Sequence, residues 1–194
     1  MPEVMSFRIR RRALLVLTMP WLLAPAAARA EIEFTLGQRP IFQHVKNGDA
    51  QQVRRLLLGG ESANQIDAKK MPLIVAAAIS GHPDVLEVIL RHGVLIDGAD
   101  PDGNTALMAA SERGDGTIVE MILRYRPRIN ARNRYGMTAL MLAAREGHAD
   151  VAQQLIKAGI DVNAADYTGR NALFYARQSR RGGVEPVLLK AGAR

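Results

Sequence analysis

The sequence of 194 residues contains no cysteine. This absence excludes disulfide bonds, thiolate nucleophiles, cysteine metal sites and the lipid-modified cysteine of a bacterial lipoprotein. The chain also lacks an apolar segment long enough to anchor it in a membrane. Its apolar segment at 13–28 has only 16 residues, interrupted by Pro20 and Pro25, whereas a spanning helix needs about 20. Since 48% of the residues are apolar and 23% are charged, we expect one globular domain stabilised by packing alone.

Catalytic motifs are missing as well. The sequence has no nucleophile elbow, no phosphate-binding glycine loop and no H-E-x-x-H pair. We therefore predict no catalytic residue, no cofactor and no metal, and we interpret the chain as a protein that is not an enzyme.

The first thirty residues have the pattern of an export signal. A basic segment, "RIRRR" at 8–12, is followed by the apolar segment and by "ARA" at 28–30, which supplies small residues before a cleavage site. We predict a signal peptide over 1–30, cleaved after Ala30, and a mature protein in the bacterial periplasm or outside the cell. Arg11 and Arg12 loosely resemble a twin-arginine signal, so the route of export stays open, with the general secretory route favoured.

The positive charge is concentrated in this leader. The whole chain has a net charge of +7, but residues 31–194 hold 21 basic and 18 acidic side chains. The segment "RYRPRINARNRYG" at 124–136 nevertheless places five arginines within eleven positions. A nucleic-acid contact is the alternative interpretation of this cluster, and it requires a cytosolic chain. For an exported chain we predict no nucleic-acid partner.

A 33-residue repeat organises everything after the leader. Glycines recur at this spacing, as do apolar residues. The glycines are Gly48, Gly81, Gly114 and Gly147, and the apolar columns are Ile41, Ile74, Leu107, Leu140, Leu173; Leu56, Ile89, Ile122, Leu155, Leu188; and Leu57, Leu90, Leu123, Ile156, Leu189. Several adjacent columns in one register exclude a chance pattern.

Each unit predicts a pair of helices. In the fourth unit, Thr138 is placed to cap a first helix, and Gly147 is placed to end it. A second amphipathic stretch runs from about 150 to 157, and Gly159 provides a left-handed stop. In the third unit, Pro127 disfavours helical geometry at Arg126, so we expect that helix to end in an extended residue instead.

Histidines and carboxylates recur with the repeat, which favours structural roles. Asp67, Asp100, Asn133 and Asp166 each start a turn, where such side chains accept backbone N–H groups. His82 and His148 occupy the same repeat position two units apart, so we expect them to lie about 20 Å from each other at 8–10 Å per helix layer. His44 and His92 have no partner at the spacing that metal ligands require.

The unit resembles the ankyrin repeat. "GMTALMLAAREGH" at 136–148, "GNTALMAASERGD" at 103–115 and "KAGIDVNA" at 157–164 are similar to that family's motifs. The resemblance implies an all-α solenoid of five helix-turn-helix units with hairpin-like connecting loops, and we expect it to be monomeric. The units span 34–66, 67–99, 100–132, 133–165 and 166–194. Polar residues in the first and last units are expected as caps, and "RRGGVEP" suggests that the final helix starts late or frays.

The resemblance also implies where a partner binds. Ankyrin proteins use a concave face formed by the turn tips and the exposed side of the first helices, so we expect a non-catalytic protein-protein interaction module. The candidate contacts are Lys69, Met71, Asp102, Asn104, Arg113, Arg134, Tyr135, Met137, Arg145, Tyr167 and Arg170. Tyrosine and arginine are enriched at interface centres, and the arginines favour a partner with an acidic surface. A ligand or enzymatic site in the groove is the alternative.

Overall fold

Helices account for almost all regular structure in the described chain. A computed structural model describes residues 40–179 and 183–194, so the predicted leader and its cleavage point after Ala30 lie outside the described residues. The helices are α1 Pro40–Lys46, α2 Ala50–Leu58, α3 Leu73–Ser80, α4 Pro83–Arg91, α5 Ala106–Arg113, α6 Gly116–Leu123, α7 Ala139–Glu146, α8 Ala149–Lys157, α9 Ala172–Gln178 and α10 Val184–Lys190.

The helices form two stacked rows. Each odd-numbered helix packs against the next odd-numbered helix, and each even-numbered helix packs against the next even-numbered one. Within the described ranges, β-pairing is limited to isolated bridges at the bases of the connecting loops, such as Ala99 with Thr105 and Ala165 with Asn171. The predicted all-α repeat solenoid with hairpin-like loops is confirmed. No helix in the described part is both long and apolar enough to span a bilayer.

The repeated apolar columns form the core. All five members of the Ile41 column are buried, as are four of the five members of the Leu56 column. The Leu57 column changes along the stack, because Leu57 and Leu90 are buried whereas Leu189 is 48% exposed. The core is therefore continuous through the described units, and the last even-numbered helix leaves apolar surface in contact with solvent.

Local capping rules explain where the helices begin and end. The hydroxyl of Thr138 accepts the N–H of Met141, which satisfies a donor at the start of α7. Gly147 then ends that helix with a φ of 80°. These two ends confirm the sequence prediction, and α8 begins at Ala149, one residue earlier than expected.

The predicted extended residue at Arg126 is wrong. Arg126 has a φ of 52°, in the left-handed region that the glycines at the same repeat position occupy. Contact with the preceding unit requires this turn, because the N–H of Arg128 donates to the Asp97 carboxylate of that unit at 2.8 Å. The chain turns at Arg126, three residues after the end of α6, to reach that acceptor, and this requirement outweighs the influence of Pro127.

A ladder of side-chain hydrogen bonds joins successive units. In each bond, Asn or Asp near the end of one unit accepts a backbone N–H 31 residues further along. The pairs are Asn64 with Leu95, Asp97 with Arg128, Asn130 with Asp161 and Asn163 with Arg194. The ladder holds each connecting loop on the next one.

The final helix is shorter at its start than its counterparts. The 33-residue spacing from Ala149 would start it at 182, but α10 begins at Val184 after a left-handed Gly183. Pro186 lies in its first turn, where the missing N–H has no partner within the helix in any case. The predicted late start is confirmed.

Candidate partner-binding surface

Each turn tip is held by one Asn or Asp side chain. We define the tips as residues 67–71, 100–104, 133–137 and 166–170. Asn133 Oδ1 accepts the N–H groups of Tyr135 and Met137, both at 3.0 Å, and the other tips repeat this pair of bonds. The structural role that the sequence indicated for this column is confirmed.

Successive tips are hydrogen-bonded to one another. The carbonyl oxygen of Asp102 accepts the N–H of Arg134 at 2.9 Å, and that of Tyr135 accepts the N–H of Tyr167 at 3.2 Å. The Tyr167 ring lies against Gly136, where an added Cβ would come within 2.8 Å of the ring. The tips of the last three units therefore form a continuous backbone frame.

Two tyrosines and two arginines project from this frame. Tyr135 is 62% exposed and Tyr167 is 69% exposed, although large aromatic side chains are usually covered in a folded chain. Arg134 and Arg170 are also exposed, and neither forms an ion pair with an acidic side chain of residues 40–179 or 183–194. We call Arg134, Tyr135, Tyr167 and Arg170 the tip patch.

A buried carboxylate supports the last tip. Asp166 is 8% exposed, and burial would raise its pKa. Hydrogen bonds from Tyr175, Thr168 and Arg170 outweigh burial and lower the pKa from 3.8 to about 2. The Tyr175 hydroxyl donates to it at 2.5 Å, and burial together with this anion raises the pKa of Tyr175.

Arg170 is positioned by an aromatic ring. Its guanidinium carbon lies 5.2 Å from the centroid of Phe174, which in turn makes an edge-to-face contact with Tyr175 at 5.8 Å. At the repeat position of Phe174, the third and fourth units have Met108 and Met141, which are fully buried. Arg170 thus covers part of the terminal unit and presents a cation beside Tyr167.

Met137 does not belong to this surface. It is only 5% exposed, so its predicted partner contact is wrong. Met137 follows the left-handed Gly136, and the chain turns back into α7 there. Its sulfur accepts from Arg145 Nη1 at 3.9 Å, while Arg145 also forms ion pairs with Glu112 and Glu146. Arg145 is therefore part of a link between two first helices.

The other predicted contacts divide into exposed and half-buried side chains. Lys69, Asp102 and Arg113 are exposed. Met71 packs partly against the core, and Asn104 Oδ1 accepts from Asn133 at 2.9 Å. Met71 and Asn104 consequently act in the frame of the tips, whereas Lys69 and Asp102 are exposed on the tips. Arg113 ends α5, and its guanidinium lies against Gly81 of the preceding unit.

The recurring histidines make contacts between units. His148 Nε2 lies 3.0 Å from the carbonyl oxygen of Glu112, and its ring lies against Gly114. His82 packs against Gly48 in the same way. In the part of the chain that the structure describes, no group of three or more His, Asp or Glu side chains could hold a metal ion.

Sequence reasoning placed Glu112 on the first-helix face but missed its ion pair with Arg145, and it missed Phe174 and Tyr175 as supports of this surface. Glu112 lies 33 residues before Arg145, so the repeat itself places these opposite charges in adjacent layers. Tyr175 occupies a column filled by smaller residues elsewhere, whereas the Phe174 column also contains Phe42 in the first unit, and an aromatic pair in the last unit was the available signal.

Comparison with known proteins agrees with this geometry. The family model for ankyrin repeats in three copies matches residues 41–133 and 117–194. Comparison with curated proteins finds no match.

Proposed function

Because the chain belongs to the ankyrin repeat family, whose repeats generally bind proteins and are typically non-catalytic, we propose that it is an exported, monomeric and non-catalytic interaction module. It binds or supports another envelope protein through its concave face and turn tips. The partner presents carboxylates and an apolar surface to the tip patch.

The exposed side chains of the tip patch carry this proposal. Tyr135 and Tyr167 offer large, rigid contact areas, and Arg134 and Arg170 offer cations with no ion-pair partner among the described residues. Their backbones are already ordered by hydrogen bonds between tips. Binding therefore costs little ordering of the main chain, and aromatic and arginine side chains commonly supply most of the binding energy.

Export supports an envelope partner. The basic segment, the apolar segment and "ARA" at 28–30 favour cleavage after Ala30. Amino-terminal sequencing of protein from the bacterial periplasm should begin at Glu31. An uncleaved cytosolic chain would contradict this part of the proposal and favour the nucleic-acid alternative, which a steep salt dependence of DNA binding would identify.

Site-specific photocrosslinking in intact cells tests the surface. A photoreactive residue at Tyr135 should crosslink to a protein, whereas the same residue at Arg54, exposed on α2, should not. The double variant Arg134→Ala/Tyr135→Ala should weaken binding of the purified crosslinked partner by about tenfold or more.

The chain supplies a matched control for this variant. Arg124 and Tyr125 form a second exposed Arg-Tyr pair, at the end of α6. Arg124→Ala/Tyr125→Ala should leave the affinity for the partner nearly unchanged. Equal losses in the two double variants, or no loss in either, would show that the tip patch is not the binding surface.

A further inference from the structure

A shallow groove lies between α8 and α10, in the even-numbered row of helices. Its volume is about 420 Å³, and no tip residue lines it. The lining is mostly apolar, from Ile156, Pro186, Val187 and Ala191. Lys157 and Lys190 add two cations, one in the last turn of each helix. We call this feature the α8–α10 groove.

The repeat reveals what is unusual about these lysines. Arg91 is the last residue of α4, and Arg124 follows the last residue of α6 at the same repeat position; each pairs with a glutamate four residues earlier. The distances are 2.5 Å from Arg91 to Glu87 and 2.7 Å from Arg124 to Glu120. In α8 and α10 that glutamate position holds Gln153 and Pro186 instead. The cation is retained while its acidic partner is replaced.

The two lysines consequently lack an ion pair with any acidic side chain among the residues that the structure describes. The helix dipole favours a cation near the carboxyl end of a helix, which explains why α4, α6, α8 and α10 each have one at this repeat position, although α2 has Leu58 there. It does not explain the loss of the glutamates. Lys157 and Lys190 are available to an external anion.

Side-chain size also changes at the position that follows each of these cations. His92 and Tyr125 follow the cations of α4 and α6, whereas Ala158 and Ala191 follow those of α8 and α10. Ala191 lines the groove directly. The small side chain leaves apolar surface accessible beside the lysines, together with the half-buried Ile156 and Val187.

We propose that the α8–α10 groove binds an acidic amphipathic helix of a partner protein. A small ligand normally has most of its surface buried, which a shallow groove between two helix ends cannot do. An amphipathic helix needs to bury only one face. The lysine charges select carboxylates, and the apolar lining selects aliphatic side chains between them.

The spacing of the layers defines the ligand further. Packed helices lie about 8–10 Å apart, so the two lysines meet carboxylates at roughly that separation. On a helix with a rise of 1.5 Å per residue, positions i and i+7 share a face and are about 10 Å apart. The expected motif has glutamate at i and i+7 and leucine at i+3 and i+4. This surface is separate from the tip patch, so the inference does not depend on the proposed function.

Fluorescence anisotropy with the full chain tests this inference. The probe is a labelled helical peptide with glutamate at i and i+7 and leucine at i+3 and i+4. It should bind the wild type, and a peptide of the same composition with the glutamates on the opposite face should bind about tenfold more weakly. Lys157→Glu/Lys190→Glu and, separately, Ala191→Trp should each weaken binding by about tenfold or more.

Two control variants decide the interpretation. Arg91→Glu/Arg124→Glu changes the net charge by the same amount and should leave the affinity within about threefold of the wild type. Arg134→Ala/Tyr135→Ala should also leave it unchanged, which separates this groove from the tip patch. Circular dichroism should show that every variant keeps the helical content of the wild type.

The inference is overturned if the lysine and arginine charge-reversal variants lose affinity equally, or if both peptides bind alike. Failure of the glutamate peptide to bind the wild type would overturn it as well. Binding of dodecanoate to the groove in place of the peptide would assign it to a small amphiphile and would also overturn it.

Discussion

The imidazole of His148 lies against Gly114 of the preceding unit, with Nε2 3.0 Å from the carbonyl oxygen of Glu112. The ring fills the volume that a Cβ on Gly114 would occupy. Gly114 also has a φ of 76°, which ends α5 in the left-handed region. One glycine therefore serves both a helix end and the contact between two units.

This double role predicts a large effect of Gly114→Ala. The left-handed conformation alone costs about 1–2 kcal/mol for a residue with a Cβ, and overlap with the imidazole adds about 1–3 kcal/mol. Gly159→Ala has only the first cost, because no heavy atom lies within 4 Å of its added Cβ. Urea unfolding should show Gly114→Ala to be the more destabilising change.

A second substitution isolates the overlap. His148→Ala introduced together with Gly114→Ala should cost less stability than the sum of the two single changes, because the methyl group then has room. Additive free energies of unfolding would contradict the proposed steric contact.

The Asp166 carboxylate predicts a specific acid dependence. Its folded pKa of about 2 lies below the ordinary value of 3.8, so it contributes stability that is fully present above pH 3.8. That contribution, on the order of 2 kcal/mol, is lost as the pH falls from 3.8 through 2. Tyr175→Phe removes one donor and should raise the pKa of Asp166.

The measurement is the free energy of unfolding between pH 2 and pH 6. Tyr175→Phe should show a smaller change across the acid range than the wild type, and the pKa of Asp166 should move toward its ordinary value in NMR titration. An unchanged titration would mean that the hydrogen bond to Tyr175 does not stabilise the anion.

Two non-glycine residues in left-handed geometry predict stabilising substitutions. Lys70 has a φ of 61° and Arg126 has a φ of 52°, at positions where the sister units have glycine. Lys70→Gly and Arg126→Gly should each raise the free energy of unfolding by about 0.5–1 kcal/mol, because glycine adopts this conformation without strain. Lys69→Gly, one residue away from the left-handed position, should not stabilise the chain. A gain for Lys69→Gly equal to that for Lys70→Gly would contradict this explanation.

The inter-unit ladder predicts a cost for each missing acceptor. Asn130→Ala removes the bond to the N–H of Asp161, which is 2.8 Å long, and should destabilise the chain by about 0.5–1.5 kcal/mol. Asn47→Ala removes only a local bond from Gln43 and should cost less. Hydrogen exchange of the Asp161 amide should accelerate in Asn130→Ala, and unchanged protection would contradict its role.

Much of the fold was predictable because it depends on neighbours in the sequence. The cap at Thr138 and the stop at Gly147 form within a few residues of each other, so residue type and position suffice to predict them. The apolar columns were equally readable, because a solenoid repeats the same burial in each unit. Exposure of Tyr135 and Tyr167 followed from their position at the tips.

Predictions failed where a neighbouring unit determines the environment. Met137 shares its tip with exposed Arg134, but it packs beneath Arg145 and is buried. The corresponding Arg170 is exposed and lies over Phe174 in the last unit. The same repeat position thus has opposite environments, which the period by itself does not distinguish.

The sequence by itself determined the 33-residue period, the helix pairs, the buried columns and the family. These features arise from local hydrogen bonds and repeated burial, which depend on residue type in a fixed register. Only the tertiary structure decided the left-handed turn at Arg126, the contact of His148 with Gly114 and the α8–α10 groove beside Lys157 and Lys190. Each of these depends on a residue about 30 positions away, because adjacent units pack against each other and are joined by hydrogen bonds.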